Sequence, residues 1–331
     1  MSGPLLITMG DAAGIGPEIV AHAFVRGAAE GCVVAGDVAA MRRAMALVPE
    51  PWPVARLESP LDAAPPRTLP VWQPEGLPAG LATLSWGRVD ARAGTAAAVC
   101  IDAAVRALQR GEGRAIVTAP IHKAALHAAG VPYPGHTEML QALAGGMPVR
   151  MMLANDELRV VLVTIHQSLR SAIDALDFDA VLSTIRIAHA SAQRWPVERL
   201  AGAGLRIAVA GLNPHAGEDG LFGDEEQRFI APAVAAARAE GIDAQGPFAP
   251  DTVFMRTRRG EFDLVVAMTH DHGLIPVKYL GVEHGVNVTL GLPFVRTSPD
   301  HGTAFDIAGR GTADPSSLEA AIRWARKAST S

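Results

Sequence analysis

The amino-acid sequence predicts an α/β protein with two α/β/α lobes, a largely parallel sheet and a cleft between the lobes. Short apolar runs alternate along the chain with helical patterns, which is typical of a parallel sheet. A chain of 331 residues is longer than one ordinary core supports, so two lobes are expected. Because no flexible linker separates them, the lobes must be joined by the sheet or by short crossings.

The chain begins with an apolar strand, Leu5 to Met9, that leads into the glycine-rich turn GDAAGIGPE at residues 10–18. Pro17 suits the first turn of a helix, and the charge of Glu18 favours the helix dipole there. Such a strand-to-helix turn can hold a phosphate, although many α/β proteins turn this way for packing alone.

The remaining predicted elements follow in order. In the first half we expect a strand at 33–35, irregular structure with one or two edge strands at 49–86, a helix at 94–110 and a strand at 115–119. In the second half we expect paired strands at 151–153 and 160–165, helices at 179–195 and 229–240, and strands at 206–211 and 264–268. The run VNVTLGLPFV, at 286–295, indicates one further buried strand.

Three of the hydrophobic strands are followed by a histidine, at His166, His215 and His270. Ligands bind at the carboxyl ends of strands in an open parallel sheet. Three neutral imidazoles meeting there would suit a divalent metal such as zinc, although each histidine alone is more often hydrogen-bonded or exposed. The repeated position predicts a metal site that sequence spacing alone does not establish.

A second group of polar residues is suited to binding an anion. It consists of His136, Thr137, Lys278, Asn287 and Arg296. A lysine and an arginine beside apolar runs need a counter-charge, which a substrate phosphate or carboxylate would supply. The alternative is a structural pairing with Asp271, Glu283 or Asp300, and the residues alone leave both interpretations open.

The segment HGTAFDIAG at 301–309, followed by Asp314-Pro315, resembles the loop HGSAPDIAG…NP of the isocitrate and isopropylmalate dehydrogenase superfamily. That loop holds the adenosine part of a nicotinamide cofactor. The resemblance implies cofactor contacts at His301, Gly302, Thr303, Ala304 and Asp306. The chain departs from the pattern at Phe305 and Asp314, which stand where the superfamily has proline and asparagine.

Five blocks together resemble the 4-hydroxythreonine-4-phosphate dehydrogenase family of vitamin B6 biosynthesis. They are GDAAGIGPEI, GHTEML, GLNPHAGEDGLFG, PDTVF and GVNVTLGLPFVRTSPDHGTAFDIAG, and they extend over nearly the whole chain. The resemblance implies a fold like that of isocitrate and isopropylmalate dehydrogenases. It also implies metal ligands at His166, His215 and His270, in a site completed across a homodimer interface, and substrate contacts at the five anion-binding residues. Mixing His166→Ala with His270→Ala chains would be a first test of such a shared site.

The implied reaction is the oxidation of 4-phosphooxy-L-threonine by NAD, with a divalent cation (Zn, Mg or Co), to 2-amino-3-oxo-4-phosphooxybutanoate. This product then loses carbon dioxide to give 3-amino-2-oxopropyl phosphate. The general base is unknown; Lys278, Asp251 and a metal-bound water are the candidates. NADP is a possible second cofactor, but the resemblance places Asp306 at the adenosine ribose, where a carboxylate favours NAD.

Two departures bear on substrate choice. The family has Tyr-His-Asp-Gln-Gly where this chain has THDHG at 269–273. It also has a proline where this chain has Ala12. The segment GLIPVK at 273–278 resembles the corresponding segment of relatives that oxidise 4-phosphorylated D-threonate or D-erythronate. These acids are the alternative substrate class. A zinc hydrolase and a non-catalytic sugar-phosphate or metal-binding protein are the rival functions, and neither would produce NADH.

The resemblance and the element order together suggest the lobe boundaries. Residues 1–125 with 285–331 would form the first lobe, which contains the cofactor loop. Residues 126–284 would form the second lobe, with the metal ligands and the dimer interface.

The composition argues against several other classes of function. The net charge of −5, without a basic run, argues against a nucleic-acid surface. No apolar run approaches the roughly 20 residues that span a bilayer, and the N-terminus lacks the basic region of a signal peptide. Cys32 and Cys100 lie in apolar runs, which indicates buried free thiols in a reducing compartment. We therefore expect a cytoplasmic protein without nucleic-acid or membrane partners.

Overall fold

A computed structural model describes residues 3–192, 204–281 and 284–329. Contacts divide the chain into two compact units. Unit 1 contains residues 1–147 and 292–330, and unit 2 contains residues 148–291. These divisions differ from the lobe boundaries expected above by residues 126–147 and 285–291, and the expected lobes stay a prediction.

Unit 1 is an α/β unit with six parallel strands. Its strands are β1 (Leu5–Thr8), β2 (Cys32–Ala35), β3 (Val54–Leu57), β4 (Leu69–Trp72), β5 (Ala115–Thr118) and β12 (Val295–Pro299), in the order β3-β4-β2-β1-β5-β12. Its helices are α1 (Gly16–Val25), α2 (Val38–Met45), α3 (Ala91–Gln109), α4 (Lys123–Ala128), α5 (His136–Leu143) and α11 (Ser316–Ala328). The proline-rich region was expected to contain one or two edge strands. Strand β3 is confirmed at the edge of the sheet, whereas β4 lies between β3 and β2.

The order of strands in unit 1 reverses at β1, which predicts a ligand crevice there. The chain leaves β1 for β2 on one side and returns to β5 on the other, and in such sheets ligands bind outside the carboxyl ends of the strands at this reversal. The four residues of β1 and the four of β5 are fully buried, so their apolar side chains anchor the sheet at this point. The glycine-rich turn follows β1, and His122 follows β5.

Unit 2 is also an α/β unit, with mixed strand directions. Its strands are β6 (Arg150–Ala154), β7 (Arg159–Leu162), β8 (Ile207–Ala210), β9 (Ala244–Phe248), β10 (Leu264–Ala267) and β11 (Val286–Leu290), in the order β11-β6-β7-β10-β8-β9. Its helices are α6 (Leu169–Asp174), α7 (Phe178–Ala192), α8 (Ala231–Ala239), α9 (Val253–Arg258) and α10 (His270–Tyr279). Strand β6 runs antiparallel to both neighbours, and the other pairs are parallel, so a largely parallel arrangement is confirmed.

The core of unit 2 fixes the strands that lead to the histidines. Side chains of β7, β8 and β10 pack with Leu274 and Val277 of α10 in one apolar cluster. The same helix leaves Ile275 and Tyr279 exposed on its other side. Because β10 lies between β7 and β8 and all three are parallel, their carboxyl ends meet at one edge of the unit.

One expected strand is wrong. The run VNVTLGLPFV is broken at Gly291, whose φ is +90°, a backbone conformation that glycine adopts without strain. Strand β11 before the break pairs antiparallel with β6, whereas β12 after it pairs in parallel with β5. Apolar character alone did not reveal this break, because leucine and proline continue the run on its far side.

Other element boundaries shift modestly. Strand β7 ends at Leu162, four residues before His166. Helix α8 begins at Ala231 because the expected residues Phe229 and Ile230 belong to a π-helical turn, Glu226–Ile230. The expected end of α7 at Trp195 lies outside the described residues, where the helix is described to Ala192. Helix α10 was not expected, because its short sequence HDHGLIPVKY contains both a glycine and a proline.

Both cysteines are buried and free, as expected, and burial raises the pKa of the Cys32 thiol to about 11. Within the described parts of the chain, no helix combines the length and apolar character needed to cross a membrane.

Candidate active site

Two of the three expected metal ligands lie side by side in unit 2. The segment after β7 is hydrogen-bonded to the segment after β10, through Val163 N to Ala267 O at 3.0 Å and Thr164 Oγ1 to Met268 O at 2.8 Å. This pairing brings the rings of His166 and His270 to a centroid separation of 5.8 Å, with a tilt of 48°. The structure thus makes a two-imidazole site from strands that are adjacent in the sheet.

The side chain of Asp271 orients one of these rings. Its Oδ1 lies 2.7 Å from Nδ1 of His270, and because a carboxylate only accepts, Nδ1–H is the donor. In the neutral imidazole this tautomer has its lone pair on Nε2. A carboxylate behind a ligating histidine is the usual support in metal sites, because it fixes the tautomer and makes the imidazole more basic. The chemistry of this donor pair fits a divalent cation such as zinc.

The third expected ligand, His215, is placed apart from this pair. It follows β8 on an exposed loop, its side chain is 64% exposed, and its ring lies against Phe222 at 6.1 Å. Throughout residues 3–192, 204–281 and 284–329, no three histidine, cysteine, aspartate or glutamate side chains come together to hold one metal ion. Among the described residues of one chain, His166 and His270 are therefore adjacent and His215 does not join them in a three-ligand group.

This arrangement bears on the complementation test given above. If one chain supplies both His166 and His270 to a shared site, a mixture of chains lacking one or the other would contain no intact site. The informative mixture combines a His215 variant with a variant of the pair.

Within unit 1, three of the expected anion contacts lie near one another. Arg296 of β12 is 3% exposed and donates from Nη2 and Nε to Oγ1 of Thr118, at 2.7 and 3.2 Å. His136 and Thr137 form the first turn of α5, where backbone N–H groups point outward. The Nε2 atom of His136 is buried without a hydrogen-bond partner among the described residues. This cluster is suited to a negatively charged group.

Burial sets the charges of this cluster. It holds the pKa of His136 well below the usual value, and the positive charge of Arg296 lowers it further. Burial lowers the pKa of Arg296 to about 10. At neutral pH the imidazole is therefore uncharged and the guanidinium keeps its charge.

The remaining expected contacts lie in unit 2. Lys278 is exposed in the last turn of α10, and Asn287 is half-buried on β11, opposite Leu153. Asp251, the other candidate base, is exposed just before α9. His272 is half-buried beside the histidine pair, and burial lowers the pKa of its imidazole, against a smaller opposing effect of Asp271.

The loop expected to hold the cofactor lies against the glycine-rich turn of unit 1. Ile15 N donates to Thr303 O at 3.0 Å, which joins the turn after β1 to the loop after β12. The ring of Phe305 stacks on the ring of His122, with 4.5 Å between the centroids. Phe305, which stands where the superfamily has proline, thus makes an aromatic contact that proline could not make. Ala304 has φ of +39°, and His301, Gly302 and Asp306 are exposed. The loop therefore presents polar groups at the crevice beside β1.

Two buried glutamates that the sequence did not single out for these contacts hold the site loops. Glu18 is fully buried, and its carboxylate accepts from Ala313 N at 2.9 Å and Gly309 N at 3.2 Å. Glu226 is 3% exposed and accepts from two backbone N–H groups at the start of the His215 loop. Nothing in the sequence indicated these contacts, because the partners of Glu18 lie 291 and 295 residues away and Glu226 stands among charged and polar residues.

Comparison with known proteins places the chain in a family. The model of the family described as pyridoxal phosphate biosynthetic protein PdxA matches residues 28–325. The chain belongs to the PdxA family.

The relatives within this family have two kinds of name. A protein of Beijerinckia indica subsp. indica named 4-hydroxythreonine-4-phosphate dehydrogenase is 55% identical, over 98% of this chain and 94% of its own length. A protein of Pectobacterium atrosepticum named D-threonate 4-phosphate dehydrogenase is 45% identical, over 98% and 99%. The crystal structure of a 4-hydroxythreonine-4-phosphate dehydrogenase from Klebsiella pneumoniae matches with a TM-score of 0.91 and 45% identity, over 100% of this chain and 99% of that one.

Proposed function

We propose that this PdxA-type dehydrogenase oxidises 4-phosphooxy-L-threonine with NAD, in a reaction that depends on a divalent cation. The product, 2-amino-3-oxo-4-phosphooxybutanoate, would then decarboxylate to 3-amino-2-oxopropyl phosphate. The observation that carries the proposal is the pair His166 and His270, backed by Asp271, on a chain of this family. The relative with 55% identity carries the corresponding name.

Each group of residues has a role in this proposal. His166 and His270 donate imidazole lone pairs to the cation, and Asp271 keeps His270 in the required tautomer. A bound divalent cation supplies the positive charge that favours loss of the hydroxyl proton during hydride transfer to the nicotinamide. Arg296 and neutral His136 bind an anionic group of the substrate, and Thr137, Lys278 and Asn287 supply further polar contacts. Lys278 and Asp251 are the protein groups proposed as general base.

The third ligand, His215, is proposed to come from a second copy of the chain. The His215 loop is followed by Leu221 and Phe222, which are 73% and 48% exposed. On α10, next to the histidine pair, Ile275 and Tyr279 are 64% and 88% exposed. Apolar side chains this exposed beside both halves of the ligand set are typical of surfaces covered in an oligomer. A homodimer would complete the site and cover them.

The cofactor and the compartment are part of the same proposal. We assign the adenosine part of NAD to His301, Gly302, Thr303, Ala304 and Asp306. The assignment is supported by the position of this loop at the crevice beside β1. Two free buried thiols fit a reducing compartment, so we propose a cytoplasmic enzyme.

A second candidate substrate is 4-phosphorylated D-threonate. Relatives named D-threonate 4-phosphate dehydrogenase are 45% and 47% identical. Thr269 and His272, which depart from the pattern of the 4-hydroxythreonine-4-phosphate enzymes, flank the proposed ligand His270. An added imidazole at this position alters the polar surroundings of whatever substituent the substrate carries next to its reacting hydroxyl.

The test is NADH formation with 4-phosphooxy-L-threonine, D-threonate 4-phosphate and D-erythronate 4-phosphate, each with Zn²⁺, Mg²⁺ or Co²⁺ and after chelation. We expect the highest kcat/KM for 4-phosphooxy-L-threonine and loss of activity on chelation. A higher kcat/KM for D-threonate 4-phosphate would favour the second candidate. No NADH from any of the three, with phosphate-ester hydrolysis or simple binding instead, would support the rival functions.

A further inference from the structure

The loop that carries His215 has an unusual backbone. Five consecutive residues, His215 to Asp219, have positive φ angles of 53°, 54°, 83°, 43° and 53°. Four of them are not glycine, and left-handed turns are unfavourable for residues with a Cβ. A run of this kind persists only where the surrounding structure holds it in place.

The carboxylate of Glu226 lies inside this loop. Its Oε1 accepts from Leu212 N at 2.7 Å and Asn213 N at 2.8 Å, and its Oε2 accepts from Asn213 Nδ2 at 3.0 Å. A Cβ added at Gly217, within the left-handed run, would lie 2.8 Å from Oε2. The chain at both ends of the His215 turn is therefore fitted around one carboxylate.

The carboxylate of Glu226 is buried, so its hydrogen bonds matter for the stability of the loop. Glu226 is 3% exposed, and a buried carboxylate is tolerated only when hydrogen bonds replace its hydration. It begins the π-helical turn that leads into α8, and such turns are found frequently at functional sites. The carboxylate of the neighbouring Glu225 accepts from Asn213 Nδ2 at 2.7 Å, and among the described residues it accepts from neither of the backbone N–H groups held by Glu226.

We infer that Glu226 is a positioning residue that holds His215 in the geometry needed to ligate the divalent cation. The inference rests on the proposed function, in which His215 is a ligand. The side chain of His215 is 64% exposed, and its ring contact is with Phe222, which is itself 48% exposed. The direction of the His215 side chain therefore depends mainly on the backbone of the loop. Glu226 fixes that backbone at residues 212 and 213, directly before the turn.

The substitution Glu226→Gln tests this role, with Glu225→Gln as the matched control. The glutamine oxygen can still accept from the two backbone N–H groups, but its NH₂ group would face the NH₂ group of Asn213. Co²⁺ affinity of the metal-free, full-length protein is measured by titration well below the unfolding transition, together with the melting temperature. Hydrogen exchange of the Leu212 and Asn213 amides reports the hydrogen bonds directly.

We expect Glu226→Gln to exchange these amides faster and to bind Co²⁺ about 10- to 100-fold more weakly, the usual effect of losing an outer-shell support. Glu225→Gln should bind within about threefold of the wild type. A role in stability alone would lower the melting temperature and leave the Co²⁺ affinity of the folded protein unchanged, and that result would overturn the inference. If Glu226→Gln does not fold, Glu226→Asp is measured in the same way. Aspartate keeps the charge, but its carboxylate is set back from the loop by the length of one methylene.

The variant His215→Ala separates this inference from the proposed function. If it loses Co²⁺ affinity while Glu226→Gln keeps it, His215 is a ligand and the positioning role is wrong. If His215→Ala binds Co²⁺ as the wild type does, the proposed ligand set is wrong and the inference falls with it.

Discussion

His136 illustrates how burial determines the charge of a single side chain near the proposed substrate contacts. Its pKa is lowered chiefly by burial and further by Arg296, so the folded protein keeps it neutral where an exposed histidine would begin to take up a proton. A neutral imidazole can accept as well as donate a hydrogen bond beside the fixed charge of Arg296. The sequence indicated both residues as anion contacts but carried no information about this difference in charge.

The lowered pKa predicts a pH dependence of stability. As the pH falls below the unfolded pKa of about 6.5, the unfolded chain takes up a proton that folded His136 does not. The stability linked to neutral His136 is therefore present above that value and is lost as the pH falls through it. Between pH 7.5 and pH 5.5, we expect the free energy of unfolding of the wild type to fall by about 1 kcal/mol more than that of His136→Gln.

Urea unfolding at the two pH values measures this difference. His127→Gln is the matched control, because it removes an exposed imidazole on α4. An equal loss of stability in the wild type and His136→Gln would show that His136 titrates normally in the folded protein.

The exposed carboxylate of Asp306 leads to a prediction about cofactor choice. It would accept hydrogen bonds from the ribose hydroxyls of NAD and would repel the 2′-phosphate of NADP. One such repulsive contact in a partly screened site costs on the order of 1–4 kcal/mol, enough for at least tenfold discrimination. We expect the wild type to prefer NAD in kcat/KM, and Asp306→Asn to reduce the preference by gaining activity with NADP.

Asp102→Asn, which changes a half-buried carboxylate paired with Arg106 on α3, should leave the cofactor preference unchanged. A wild type equally active with NADP would contradict the assignment of Asp306 to the ribose.

Among the structural elements, the cofactor loop depends on the buried carboxylate of Glu18. Glu18 lies in α1 and accepts hydrogen bonds from Gly309 and Ala313, so it connects the first helix to the segment that follows the loop. Trp86 packs against Gly309 and carries the guanidinium of Arg43 at 3.6 Å from its ring centroid. Two hydrogen bonds from backbone N–H groups to the Glu18 carboxylate thus hold one end of the loop, and Trp86 packs against the same end.

Glu18→Gln should weaken this connection. Glutamine can accept from one of the two N–H groups, but its NH₂ would face the other, which leaves a buried donor unsatisfied at a cost of about 1–3 kcal/mol. We expect a lower free energy of unfolding by this amount and weaker binding of NAD, measured by denaturation and by titration. Glu112→Gln, which removes an exposed ion pair with Arg110, should change neither quantity appreciably. An unchanged NAD affinity in Glu18→Gln would show that the loop holds its shape without this contact.

Hydrophobic pattern predicted most elements, and it failed where a local backbone feature decided the outcome. The strands at β1, β2, β5, β8 and β10 and the helix α3 were expected, because their apolar runs and periodicity are strong. Gly291 divided one expected strand into two, since a positive φ ends a strand without interrupting its apolar residues. The left-handed turn at His215 also had no signal, because four of its five residues are not the glycines that normally mark such turns.

At the scale of the molecule, the sequence predicted two α/β units and the residue types of the site, whereas their arrangement required coordinates. His166 and His270 are adjacent because β7 and β10 are neighbours in the sheet. The order of strands in a sheet cannot be derived from one amino-acid sequence. Nor could the sequence show that His215, after the adjoining strand β8, is placed apart from the pair. Family resemblance supplied the expectation of a shared site, and the division of its ligands between two chains stays a proposal.

The central claim is that His166 and His270 of one chain act with His215 of another in an NAD-dependent dehydrogenase. The most direct test is to mix inactive His166→Ala and His215→Ala chains, refold them together and measure NADH formation from 4-phosphooxy-L-threonine. Random pairing makes half of the dimers mixed, each with one intact site, so about a quarter of the wild-type activity should return. His166→Ala mixed with His270→Ala should remain inactive. No recovery in the first mixture, with mixed dimers demonstrated by mass, would contradict the claim.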